Sequence, residues 1–388
     1  MRVSILTREY PPEIYGGAGV HVTHLVEQLS KLVDVDVQCF GAPRGDPRVR
    51  AYHPWPAIPS ERAAEAALQS MSVDLLMASG CRGADVVHSH TWYANLGGHL
   101  GGLLHGIPHV MTAHSLEPLR PWKRDQLGGG YELSLFCERT AVHGASAIIA
   151  VSAGMRADIL ATYPSVDPDR VFVLHNGIDT DAWRPTADAR ALARLGVDPG
   201  RPAVVFVGRI TRQKGVDHAL AAAELIDRHA QVVLCAGAPD TPEIGAEMRQ
   251  RAAAVAARRG GIVWIEEMLS RHELCAVLSA ADVFLCPSVY EPFGLTNLEA
   301  MACETAVVAS AVGGIPEIVV EDVTGHLVPV VPDGAEFAAA LAGRVNALIA
   351  DPERAAAMGR AGRLRAIEHF GWPAVAARTV ALYERLAG

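Results

Sequence analysis

The feature that most restricts the fold is a rhythm that starts twice. Short runs of Val, Ile and Leu alternate with longer alanine-rich stretches of helical spacing, which is the pattern of parallel sheets with helices on both faces. In the first half the runs predict strands over 3–7, 35–40, 85–88, 109–113, 147–151 and 171–174, with helices over 20–32, 61–71, 94–105, 132–144 and 154–163. The second half restarts with strands over 203–207, 232–236, 262–264, 283–286, 305–309 and 325–329. Between them lies "HNGIDTDAWRPTADARALARLGVDPGRP", rich in Pro, Gly and Asp and without strand periodicity. The expected fold class is therefore α/β, with two doubly wound domains, 1–178 and 179–370, whose sheets turn their carboxyl ends toward a shared central crevice. The remaining 371–388, with Val375, Val380, Leu382 and Tyr383 on one side, reads as a terminal helix that either crosses back to the first domain or closes the second.

Composition removes several classes of function. Of the 388 residues half are hydrophobic, enough for two cores, and no run of 18 apolar residues marks a membrane span. The opening "MRVSILTREYPPE" meets charge and proline too early for a secretory leader, so a cytoplasmic protein is expected. Seven cysteines without a C-x-x-C fit reduced core thiols better than disulfides or zinc. A net charge of -9 without a basic block argues against nucleic acid and anionic membrane as partners, so an anionic ligand must be held by a few placed cations. A homodimer is left open.

Three loops follow strands and should carry the chemistry. In "REYPPEIYGGAGVHV", Gly16 and Gly17 precede a helix and could allow positive φ and close approach of a ligand to backbone amides, although a plain tight turn accounts for them as well. The loop lacks G-x-G-x-x-G, which counts against a dinucleotide cofactor. In "VVFVGRITRQKGVDHAL", Arg209 and Lys214 suit a diphosphate; a solvated loop is the plainer alternative. In "SVYEPFGLTNLEAMACETAVVAS", a helix expected from Thr296 leaves the amides of Gly294, Leu295 and Thr296 for an anion. Glu299, on the first turn, could accept sugar hydroxyls, and Glu291 is expected to point freely into the crevice.

"YGGAG", "TAHSLEP", "HNGID", "VGRITRQKG" and "EPFGLTNLEAMA", in this order over nearly the whole chain, resemble the retaining GT-B glycosyltransferases with the E-x7-E signature. "HSLEPLRPWKRDQLGGGY" is similar to the short glycogen-synthase-like members that join ADP-glucose and glucose-1-phosphate into α-maltose-1-phosphate. The resemblance implies two Rossmann-like domains, the first binding acceptor and the second the nucleotide-sugar donor. It implies Arg209 and Lys214 at the donor diphosphate, Glu299 at its ribose, Glu291 at the donor sugar and His114 beside the reacting hexose. Retaining hydrolases use two carboxylates and a covalent intermediate; the resemblance implies instead reaction on one face, with the leaving phosphate oxygen taking the acceptor's proton. No metal or other cofactor is then needed, and no Asp-x-Asp stands out at a strand end; His88-x-His90 lacks a third ligand nearby and reads as structural rather than metal-binding. One departure is Tyr15, where the long glycogen and starch synthases carry Lys before the two glycines.

The acceptor side reads from Arg120, Lys123 and Arg124, three cations in five residues on the crevice side, able to hold a phosphate, with Gly128 to Gly130 leaving the loop free to close. A mobile solvated loop explains the same residues. Trp122 could stack on either a sugar phosphate or an α-glucan. The rival functions are a glycogen synthase that elongates α-glucan, a nucleotide-sugar epimerase with the same donor site, and a non-catalytic nucleotide-sugar sensor.

Overall fold

Each run of alternating elements builds its own parallel sheet in the computed structural model, which describes residues 1–14, 16–59 and 63–388. Tyr15, the departure noted above, lies outside the described residues, as does the start of the helix predicted over 61–71. The chain divides into two units, Met1–Gly177 with Trp372–Gly388, and Ile178–Gly371.

In the first unit the strands are β1 (Arg2–Leu6), β2 (Asp34–Phe40), β3 (Val49–Tyr52), β4 (Val86–His90), β5 (His109–Ala113), β6 (Ala147–Ala150) and β7 (Val171–Val173), ordered 3-2-1-4-5-6-7. The second unit holds β8 (Ala203–Arg209), β9 (Gln231–Gly237), β10 (Ile262–Ile265), β11 (Val283–Cys286), β12 (Ala306–Ser310) and β13 (Gly325–Val328), ordered 10-9-8-11-12-13. Both are doubly wound: the chain steps outward from β1 or β8, then returns to lay β4 or β11 on the other side. The strand order therefore reverses between β1 and β4 and between β8 and β11, and ligands of such sheets bind beyond the carboxyl ends at that point. The loops after β1, β8 and β11 are the three singled out above.

Strand β3 has no counterpart in the expected set. It is a four-residue edge strand, half-buried throughout, and Arg50 on it pairs with Asp36 of β2 at 2.7 Å, so it shows no apolar run. The helix expected to stop at 71 continues to Gly80, because its polar Ser72 and Asp74 are buried rather than solvated; Asp74 accepts the Gly97 amide of a neighbouring helix at 2.9 Å. The Trp372–Ala387 helix belongs to the first unit. Its Trp372, Val375, Ala376, Val380 and Tyr383 pack into one cluster with Val22, Leu25 and Val26 of the Gly17–Leu29 helix and Val3 and Ile5 of β1. All seven cysteines are free, six of them buried, and no described helix is long and apolar enough to cross a membrane.

Candidate active site

Three glycines hold the loops of the second unit together. Gly215, at φ +64, caps the Val216–Leu225 helix, and a Cβ there would meet the Pro287 carbonyl oxygen. Gly313, at φ +55, would bring a Cβ onto the Glu291 carbonyl oxygen in the same way. The amide of Gly314 donates to that oxygen at 3.0 Å, and Val289 donates to Gln213 at 3.0 Å, so the segments after β8, β11 and β12 form one packed surface.

On it, Lys214 Nζ donates to Glu291 Oε2 at 2.7 Å, and Ser288 Oγ donates to the same oxygen at 3.1 Å. This corrects the expectation that Glu291 points freely away from the loop: it is 6 % exposed and committed to Lys214. Burial by itself lowers the Lys214 pKa, but the Glu291 charge, Cys286 and the hydrogen bond to Glu291 together more than offset it, so the ammonium is held protonated. Arg209, the last residue of β8, reaches Asp240 at 3.3 Å and keeps about a third of its side chain exposed. The two cations are thus on the same carboxyl edge, each already steadied by one acid.

Helix Leu295–Ala302 starts one residue earlier than expected, at Leu295, from Gly294 at φ 110 with no side-chain cap, so its leading amides have no intrahelical acceptor. Glu299 is its fifth residue and lies on the second turn, not the first. Half-buried, its carboxyl is pushed up to about 8 by burial, only partly countered by Lys214.

In the first unit Gly16 caps the Gly17–Leu29 helix in extended conformation, and none of Gly16, Gly17 and the neighbouring Gly19 uses the positive φ that glycine allows. The glycines serve close approach instead: a Cβ on Gly19 would collide with the Glu9 side chain, whose Oε2 accepts the Gly16 amide at 2.7 Å. An acid of the chain itself therefore occupies the Gly16 amide that a ligand was expected to approach.

Beyond β4 and β5 the histidines gather. His88 is satisfied at both ring nitrogens, by the Tyr383 hydroxyl and by Thr112 at 2.7 Å. His90, at the end of β4, meets His114 at 3.0 Å, and His21 of the Gly17–Leu29 helix packs edge-on against His114. His88 stays outside this group, so the His88-x-His90 pair read from the sequence is not itself a ligand pair; the ring neighbours of His90 are instead His114 and His21, which sequence distance hid. Burial depresses all three, His114 to about 4, so they are neutral at pH 7. Next to His90, Thr91 adopts φ 65, a strained conformation for a β-branched residue of the kind found at functional sites.

The acceptor segment is more ordered than a free loop. It forms a short turn of helix, Glu117–Leu119, and a helix, Lys123–Leu127. Arg120 and Lys123 lie 3.6 and 3.5 Å from the buried carboxylate of Glu117, and Arg124 pairs with Glu132 at 2.8 Å. The three cations expected to be available for a phosphate are therefore already partnered, with one positive charge in surplus over the two acids.

Glu138, not singled out in the sequence, anchors this segment: it accepts the Glu117 amide at 2.9 Å and the Tyr163 hydroxyl at 2.7 Å. Burial, and next the Glu117 charge, push its carboxyl up to about 8. An acid with a raised folded pKa binds a proton that the unfolded chain has released, so its contribution to stability falls as pH rises from the ordinary carboxylate range to about 8. Glu138→Gln should remove that loss, and the thermal midpoint of the variant should gain on that of the parent between pH 5 and pH 8. A difference in midpoint that stays constant over this range would show that Glu138 is ionised in the fold.

Residues 15–182 match the Glycosyltransferase Family 4 model and residues 189–365 the model of Glycosyl transferases group 1. A curated relative, the α-maltose-1-phosphate synthase of Mycolicibacterium smegmatis, is 58% identical over 391 aligned residues, with all of both chains covered. The chain belongs to the glycosyltransferases. The Mycobacterium tuberculosis α-maltose-1-phosphate synthase is 57% identical, again over the full length of both. Among solved structures, sucrose-phosphate synthase from Thermosynechococcus elongatus superposes with a TM-score of 0.77 at 28% identity, covering 99% of this chain and 98% of that one. This glycosyltransferase thus has the GT-B architecture of two Rossmann-like parallel-sheet units that its motifs implied.

Proposed function

We propose that this enzyme transfers glucose, with retention, from ADP-glucose to glucose-1-phosphate, giving α-maltose-1-phosphate for α-glucan synthesis in the cytoplasm. The observation that carries the reading is the end-to-end similarity, at 58% identity, to a protein named for that product.

In this reading the second unit holds the donor. Cleaving the anomeric C–O bond leaves positive charge on the sugar and a second negative charge on the diphosphate. Preorganised cations at the leaving group lower that barrier most, and Arg209 and Lys214 are such cations. Glu291 acts chiefly by fixing the Lys214 ammonium in its charged form and position, and reaches the donor sugar only from that pairing. The leading amides of the Leu295–Ala302 helix face a phosphate, and Glu299 takes the ribose hydroxyls. Its raised pKa is the mark of a buried carboxyl whose partners arrive with the substrate. The leaving phosphate oxygen accepts the proton of the incoming hydroxyl, so no side chain serves as a nucleophile. His114, neutral and half-buried, offers a hydrogen bond to the hexose rather than a charge. For Gly16 and Gly17 to contact the donor diphosphate, Glu9 must first release the Gly16 amide.

Because side-chain cations and amides neutralise the leaving group, turnover should need no metal. Full activity is expected after exhaustive EDTA treatment; loss that Mg²⁺ or Mn²⁺ restores would refute this. Transfer also requires acceptor-dependent release of nucleoside diphosphate. An epimerase would alter the sugar without acceptor, and a sensor would release nothing.

For the acceptor, the surplus cation of the 120–124 segment is proposed to meet the phosphate of glucose-1-phosphate. Replacing Lys123 and Arg124 together should raise KM for glucose-1-phosphate more than KM for ADP-glucose. Equal rises would mean that the Glu117 and Glu132 pairs only hold the segment in place.

A further inference from the structure

We propose that His21, His90 and His114 form a binding site for a soft divalent transition ion of the zinc class, and that its occupancy withdraws His114 from the hexose. The binding half stands on the histidine geometry alone; the inhibitory half rests on the role given to His114 above.

One ring nitrogen of each histidine lies within 4.8 Å of those of the other two. Tetrahedral zinc with Zn–N bonds of about 2.0–2.1 Å requires nitrogen pairs roughly 3.3 Å apart. His90 Nδ1 and His114 Nε2 are already near that spacing at 3.0 Å, held there by a hydrogen bond that an ion would replace, and the remaining pairs have at most roughly 1.5 Å to close. The three side chains stand on a strand end, a strand exit and a helix, elements rigid enough to define a site.

The ordinary role of a buried histidine is a satisfied hydrogen bond at each nitrogen, and His88 next door shows it. This cluster differs. His90 Nε2 is buried and makes no hydrogen bond among the described residues, although it lies across the ring from the Nδ1 that meets His114; His21 Nδ1 is buried too, and beside it stands Asn176, a hydrogen-bond partner that partly counters the effect of burial on the His21 pKa and whose own Oδ1 is unpaired. Burial keeps the imidazoles neutral, the form that ligates metal. Among the described residues no carboxylate joins the group, so the donor set favours zinc-like ions over Mg²⁺ or Ca²⁺ and leaves a fourth position open. His114 is only half-buried and gives the ion its way in.

The probe is Co²⁺ added to the metal-free full chain. One equivalent per chain should produce the intense visible bands of four-coordinate cobalt, displaced by Zn²⁺, lost in His21→Asn and retained in the surface control His229→Asn. The weak bands of six-coordinate cobalt, or an unchanged spectrum in His21→Asn, would overturn the site. Should His21→Asn not fold, anomalous diffraction at the zinc edge from the unaltered protein decides: density among the three rings supports the site, and density only elsewhere removes it. Zn²⁺ should stop glucosyl transfer and EDTA restore it, whereas full turnover by the zinc-loaded chain overturns the inhibitory half. A chain that transfers no glucose with or without metal speaks against the proposed reaction and leaves the Co²⁺ result to stand on its own.

Discussion

Lys214→Ala is expected to lower turnover by roughly 10²- to 10³-fold, the scale of losing one preorganised group at a developing charge. The structure adds a second consequence that separates this variant from Arg209→Ala. Glu291 is buried and depends on the Lys214 ammonium, so removing the lysine leaves an acid unpaired at a cost of about 3–5 kcal/mol of stability. Arg209 is itself more exposed than Lys214 and holds Asp240 through a longer contact, 3.3 Å against 2.7 Å, so less is lost with it. Arg209→Ala should therefore lose turnover on the same scale while its denaturation midpoint moves little. Steady-state kinetics and urea denaturation of both variants provide the check, and near-normal turnover in both would end the assignment of these cations to the leaving group.

The next largest effect is expected on the sugar side, and here kinetics should distinguish two residues. His114→Ala should chiefly lower kcat, by about 10²-fold if it supplies a hydrogen bond that strengthens as charge develops on the hexose. Glu299→Gln should chiefly raise KM for ADP-glucose, because its hydroxyl contacts are made equally before and during reaction. A reversed pattern would exchange their roles. Since His90 meets His114 at 3.0 Å, His90→Ala should share part of the kcat loss without touching substrate.

The fold was legible because each buried parallel strand carries its own apolar run, as in "VVFV" of β8 and "VFLC" of β11. It failed at β3, where a polar edge strand carries no such signal, and at Ser72 and Asp74, whose burial within the extended helix follows from tertiary contacts alone. Motif residues could be named from their position after strands, but their partners could not. The Lys214–Glu291 pair joins residues 77 apart, and His21, His90 and His114 come from three separate elements. The glycine roles stayed open for a related reason: a "GGAG" stretch signals that space is short, and only the structure reveals that Glu9 fills it. The cations of the 120–124 segment illustrate the same limit, because the sequence displays charge but not Glu117 beneath it.

The most direct measurement gives ADP-glucose to the enzyme with glucose-1-phosphate and with glycogen in turn, and identifies the product by mass. Rapid formation of a hexose disaccharide phosphate, with little extension of glycogen, is the expected result. Glycogen extension much faster than disaccharide phosphate formation would contradict it and make the protein an α-glucan-elongating synthase.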